Sequence, residues 1–146
     1  MAATHVEVVS PSRVVYRGEA EMVVTRTLDG DIAFLADHVP LLGALDTCLT
    51  RVVAEDGSEV RIALGGGFVE VRDNQVTILA ADAALGSEID VDAARAELRE
   101  AEQRQRDDAG DASAGDASAG ATAGAAVLRA RVRLEAAGAA PADGGG

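Results

Sequence analysis

The sequence predicts an all-β sandwich amino-terminal domain followed by a small carboxy-terminal α-helical hairpin. Three observations lead there. Apolar residues recur at every second position from Val6 to about Leu79, and turn signals at Ser10-Pro11, Asp29-Gly30, Asp56-Gly57 and Asp73-Asn74 cut that stretch into short segments. Beyond Glu88 the pattern gives way to alanine, glutamate, glutamine and arginine, all good helix formers. Short antiparallel strands each bury one face, and two packed layers satisfy that need.

Taken in order, Val6 with Val8, Ala20 with Met22 and Val24, and Val60 with Ile62 and Leu64 mark alternating strands. Residues 29 to 45, DGDIAFLADHVPLLGAL, place a glycine-centred turn before an apolar run that is broken by Asp37-His38 and Pro40. The chain must bend there while staying largely buried. In residues 63 to 81, ALGGGFVEVRDNQVTILAA, Val69 and Val71 alternate with Glu70 and Arg72, and Val76 and Ile78 with Gln75 and Thr77. Asp73-Asn74 between them predicts a tight hairpin with one solvated face. The glycines 65 to 67 open a strand rather than a helix, which suits a bulge or a close approach between sheets better than a phosphate cradle.

These signals divide the chain into a β-sandwich over 1–87, a first helix over 88–106, a linker over 107–124, a second helix over 125–138 and a disordered tail over 139–146. Asp90 or Asp92 can cap the first helix, and from Ala93 to Arg106 Leu98 is the one large apolar side chain. The linker carries DASAG twice in succession and glycines at 110, 115, 120 and 124, each costing a helix about 1 kcal/mol relative to alanine. It is therefore expected to be flexible. In the second helix Val127 and Leu134 stand seven apart, and Leu128 and Val132 four apart.

Composition excludes several functions. The 146 residues include 25 Asp and Glu against 13 basic residues, a net charge of -12, which repels phosphate backbones and argues against nucleic-acid binding. No stretch approaches the roughly 20 apolar residues of a membrane helix, and the amino terminus lacks a charged start followed by an apolar block. A soluble, unexported protein without direct membrane insertion is expected. Cys48, the single cysteine, lies in an alternating run and reads as a small buried hydrophobe. His5 and His38 suggest no third ligand by spacing, so no metal site is expected, and no Ser-His-Asp or Cys-His arrangement suggests an enzyme.

Two long motifs resemble the amino-terminal domain of the epsilon subunit family of F-type ATP synthases. Gly30, Asp31, Ile32, Phe34, His38, Pro40, Leu41 and Leu42 match its G-[ED]-[IL]-x-[IF]-x-x-x-H-x-P-L-L pattern. Gly66 to Val71 and Asn74 to Ala80 match its G-G-[FI]-x-E-V and N-x-V-T-[IV]-L-A patterns. The resemblance implies a non-catalytic rotor subunit of the central stalk, at the cytoplasmic face of the bacterial plasma membrane within the ATP synthase complex. Its partners would be the gamma shaft subunit and the c-ring, met through Asp31, His38, Pro40 and Leu42, and the catalytic beta subunits through the tail. A weak restraint on ATP hydrolysis by the tail is also implied.

The tail carries a shorter likeness. Residues 91 to 96, VDAARA, resemble the family's [IL]-D-x-x-R-A, and residues 129 to 134, RARVRL, its R-A-x-x-R-L. Some bacterial members bind ATP there, which would nominate Asp92, Arg95, Arg129 and Arg133 for a weak regulatory ATP; no other cofactor is implied. Arginines four apart share a helix face and could hold a triphosphate. An ungapped alignment from Thr77 instead equates Ile89-Asp90 with the family's pair, and a solvated charged face with ordinary capping remains the other reading. Two rivals from other classes are a carrier module and a small ligand-binding sandwich. The first needs a lysine, which the chain lacks, and the second would use aromatic platforms, for which one Tyr, two Phe and no Trp leave little.

Overall fold

The computed structural model describes residues 3–37, 39–110 and 117–138. Eight strands, β1 (Thr4–Val9), β2 (Val14–Ala20), β3 (Met22–Thr27), β4 (Gly30–Leu35), β5 (Leu41–Val53), β6 (Glu59–Arg72), β7 (Gln75–Ala80) and β8 (Ala83–Leu85), precede a single 3-10 turn at Gly86–Glu88. Two helices follow, α1 (Val91–Gly110) and α2 (Ala117–Ala136). The strands form one hydrogen-bonded network in the order β2-β1-β7-β6-β5-β3-β4, with β8 on β6. β1 lies parallel to β7, and the other pairs are antiparallel.

One network becomes two layers because β5 and β6 are long enough, at 13 and 14 residues, to belong to both. Along β5 the buried residues are Leu45 and then Cys48, three apart, so the inward face switches near Asp46. There the pairing steps from Leu45 with Gly67 to Thr47 with Gly65. The glycine run makes this corner: Gly67 has a φ of 140°, and a Cβ on it would stand 2.2 Å from the Leu79 carbonyl oxygen. The expectation of a close approach rather than a phosphate cradle is met.

Between the layers lie Val6, Val8, Val23, Phe34, Ile62, Leu64, Val69, Val76 and Ile78, each almost wholly buried. Cys48 is buried among them. One strand departs from expectation. Met22 and Val24 were in phase with Ala20 by alternation, yet Val23 and Thr25 are the buried residues of β3. Glu21, whose amide donates to the Val53 carbonyl at 2.8 Å, stands between β2 and β3 and turns the following side chains over. Thr25 tolerates burial because its hydroxyl meets that of Thr50 at 2.8 Å.

Asp90 caps α1: its Oδ1 accepts from the Ala93 amide at 3.1 Å and its carbonyl from the Ala94 amide at 2.9 Å. Both helices run further than expected, α1 to Gly110 instead of Arg106 and α2 from Ala117 instead of Ala125. The glycines at 110, 120 and 124 are therefore helical; of the linker expected over 107–124, residues 111–116 lie outside the described residues, as does the tail 139–146. A helix at the margin of stability by propensity is completed by packing. Here Ala94, Leu98 and Ala101 of α1 close on Val127, Ala130 and Leu134 of α2. The hairpin in turn lies on the sandwich, with Val132 and Ala136 against Ala63 and Leu49.

Candidate functional site

The two outer faces of the sandwich differ. The hairpin covers the face formed by the first half of β6 and the second half of β5. The face formed by β1, β7 and the other halves of β5 and β6 carries large apolar side chains in the open. Cross-strand register lines them up at one level, with the half-buried Ala44 and Val9 completing the row: Ala44 opposite Phe68, Phe68 opposite Leu79, Leu79 opposite Val9 and Val9 opposite Val14. The Leu28 amide donates to the Ala44 carbonyl at 3.1 Å, so the β3–β4 turn extends the row. Phe68 is 58% exposed, Leu79 56% and Leu42, one step along β5 from that level, 75%. Scattered exposed apolar residues are ordinary, but a row crossing the turn and five strands is the mark of a surface that another molecule covers.

At one end of this face the two sequence motifs meet. The Asp37 amide donates to Asn74 Oδ1 at 2.6 Å, and Asn74 Nδ2 donates to Asp37 Oδ1 at 3.2 Å. Both residues have left-handed φ values, 62° for Asp37 and 60° for Asn74, which their short polar side chains make accessible. Asp73, at φ 51°, completes the two-residue turn predicted between β6 and β7. The segment leading to Pro40 is thus pinned to the hairpin tip, with Val39 and Leu42 exposed beside it. His38 lies outside the described residues.

Of the four residues expected at a ring or shaft interface, Pro40 and Leu42 lie together. Asp31 does not join them. It sits at the far end of β4 from Asp37, exposed, where it accepts from Arg26 Nε at 2.7 Å. That hydrogen bond, followed by the charge of Asp31, raises the Arg26 pKa. Asp31 also lines a cleft of about 270 Å³ whose other wall is Leu128, Val132 and Glu135 of α2.

The four residues nominated for ATP are spread along the hairpin. Asp92 is exposed in the first turn of α1, two residues past the Asp90 cap that takes the role considered for it. Arg95 is half-buried, its Nε without a hydrogen-bond partner. Arg129 is exposed, whereas Arg133 is engaged by Glu97 at 3.4 Å and by Asp82 at 3.6 Å. Among the described residues, no group of three or more His, Cys, Asp or Glu is placed to hold a metal.

Sequence reasoning assigned the face of Glu70 and Arg72 to solvent and stopped there. Phe68 has the same parity as those residues, and Leu79 the same parity as Gln75 and Thr77. Two bulky residues on a face otherwise polar were the available signal for the apolar row.

Comparison with known proteins follows the same division of the chain. Residues 3–86 match the family model described as ATP synthase, Delta/Epsilon chain, beta-sandwich domain. The ATP synthase epsilon chain of Brevibacillus brevis is 48% identical over 102 residues, covering 70% of this chain and 77% of that protein. The ATP synthase epsilon chain of Streptomyces avermitilis is 43% identical over 101 residues, covering 69% and 82%. Among solved structures, a chain from the mitochondrial ATP synthase of Euglena gracilis superposes with a TM-score of 0.75 at 22% identity, over 94% of this chain and 82% of that one. At that identity the likeness is one of fold.

Proposed function

The chain belongs to the ATP synthase epsilon chain family, and from that premise we propose that it is the non-catalytic central-stalk subunit that joins the shaft to the membrane ring. The observation that carries this reading is the apolar row Leu28, Ala44, Phe68, Leu79, Val9 and Val14 on the uncovered face. Torque transmission requires a broad contact on a scaffold that does not deform. A packed sheet supplies the scaffold, and an apolar outer face supplies a contact that gains by leaving water. The gamma shaft subunit is the partner assigned to this row. The polar ring loops are assigned to Pro40 and Leu42 beside the pinned Asp37, and to His38, with Asp31 as a second contact.

The hairpin, lying against the opposite face, leaves the row open for the shaft. Through its arginines it is the part that would meet the catalytic beta subunits and restrain ATP hydrolysis weakly; of the four groups nominated for a regulatory ATP, Asp92, Arg95 and Arg129 would receive it, since Arg133 is already engaged by Glu97 and Asp82. Among the described residues no helix is long and apolar enough to cross a membrane. A peripheral place on the cytoplasmic face of the bacterial plasma membrane, inside the synthase, fits both. A carrier or small ligand-binding module is not favoured, since neither would account for family membership.

Cross-linking in the assembled enzyme tests the reading. In a Cys48→Ser background, cysteine at position 68 should cross-link to the shaft, and cysteine at 31 or 38 to the ring subunit. Cross-links from all three positions to catalytic subunits alone would overturn it. The isolated chain should not hydrolyse ATP, and turnover in a preparation stripped of the other subunits would remove the non-catalytic assignment.

A further inference from the structure

We infer that the helical hairpin is held on the sandwich by a latch made of a seat at Gly86 and a clamp at Arg133, and that this latch needs no bound anion. The seat is steric. A Cβ on Gly86 would stand 2.0 Å from the Ala136 carbonyl oxygen, 2.8 Å from its carbonyl carbon and 3.3 Å from the Arg61 carbonyl oxygen. Gly86 does not have a positive φ, so the glycine is needed for room and not for backbone conformation. The last turn of α2 thereby rests directly on the backbone of the 3-10 turn. Val132 and Ala136 continue the contact onto Ala63 and Leu49, where alanines at both surfaces allow the helix to come close.

The clamp is electrostatic and joins three elements. From α2, Arg133 reaches Glu97 of α1 at 3.4 Å and Asp82, between β7 and β8, at 3.6 Å. A guanidinium offers donors in a fork that suits two carboxylates at once. Each pair is partly exposed and modest in strength, so the seat supplies most of the hold and the clamp fixes its register. The same geometry bears on nucleotide. A polyphosphate approaching Arg133 would meet two carboxylates already in place and would have to displace both against like-charge repulsion. The folded hairpin therefore supplies its own anions. This inference concerns the isolated chain and stands apart from the assignment of shaft and ring contacts.

Hydrogen exchange of the full-length chain, read peptide by peptide by mass spectrometry, tests it. Amides of residues 126–136 should be protected without nucleotide, and millimolar ATP should leave that protection unchanged. Gly86→Val should lower it at least tenfold while β1, β5, β6 and β7 keep theirs. Arg133→Ala should lower it about two- to fivefold, the range expected for exposed pairs. Salt at about 1 M should do the same to the wild type and add nothing to that variant. If Gly86→Val also loosens the strands, the Arg133→Ala result decides, and unchanged protection there overturns the latch. Protection that appears only on adding ATP overturns it as well.

Discussion

The covered and uncovered outer faces of the sandwich share two strands, β5 and β6, and they differ in the size of what points outward. Where α2 lies on the sheet, β6 presents Ala63, and the adjoining turn presents Gly86, so the helix can approach until backbone meets backbone. Past the corner at Gly65–Gly67, β6 presents Phe68 and β7 presents Leu79, too bulky for a helix to seat in the same way and left in the open. Small residues mark contact made within the chain, and large exposed ones mark contact kept for another molecule. A single strand carries both kinds because its outward parity is independent of what covers it.

Substitutions on either side of this division break or sharpen it. The reference for a fully interior position is Phe34→Ala, expected to lower the unfolding free energy by about 3–5 kcal/mol in urea titration. Leu134, wholly buried between the helices, should cost about 2 kcal/mol as Leu134→Ala, near the lower end for such changes because the cluster is small. That loss should appear as faster exchange in both helices with the strands unaffected. If the strands weaken equally, the hairpin is part of the sandwich core and the two faces are not separable.

Asn74→Ala removes two side-chain hydrogen bonds and puts an alanine at φ 60°, so a loss of about 1–2 kcal/mol is expected. Asn74→Gly should recover the conformational part and not the bonds. Phe68→Ser should change the stability of the isolated chain by less than about 1 kcal/mol, since the ring is mostly in water and loses chiefly its cross-strand partner Leu79. The same variant should be retained poorly in purified ATP synthase. A destabilisation as large as that of Phe34→Ala would show that the open face contributes to the fold, and undiminished retention would remove it from the interface.

The smallest effect concerns Glu88 of the 3-10 turn, which binds Arg13 of the β1–β2 turn. The hydrogen bond from Arg13, with its charge, holds the Glu88 carboxyl below its ordinary value and raises the Arg13 pKa. A carboxylate whose pKa is lower in the folded state stabilises above its unfolded value, and that contribution fades as pH falls through the folded one. Glu88→Gln should therefore lower the thermal midpoint slightly at neutral pH and make no difference in strong acid. A gap that persists in acid would assign the effect to packing instead.

Much of this was legible in the linear chain. The Asp73-Asn74 hairpin, the glycine corner and the burial of Cys48 followed from alternation, turn chemistry and residue size, all properties of neighbours in sequence. The phase of β3 was not, because the single residue Glu21 reverses every side chain after it, and alternation cannot show where a corner absorbs a residue. The helix ends were misjudged for a related reason: Gly110, Gly120 and Gly124 are poor helix formers alone, and the packing of Leu98 and Leu134 lies outside any local window.

Local preference and pattern were sufficient for strand existence, turn positions and family, since each depends on residues a few places apart. Tertiary structure alone decided that Asp37 would meet Asn74, that Asp31 would stand away from Pro40, and that Arg133 would be held by Asp82 and Glu97. Those pairings join residues 36 or more positions apart, or, for Asp31, separate residues that one motif holds nine positions apart. Such distances are set by how layers pack, and packing is a property of the whole core that no stretch of sequence contains.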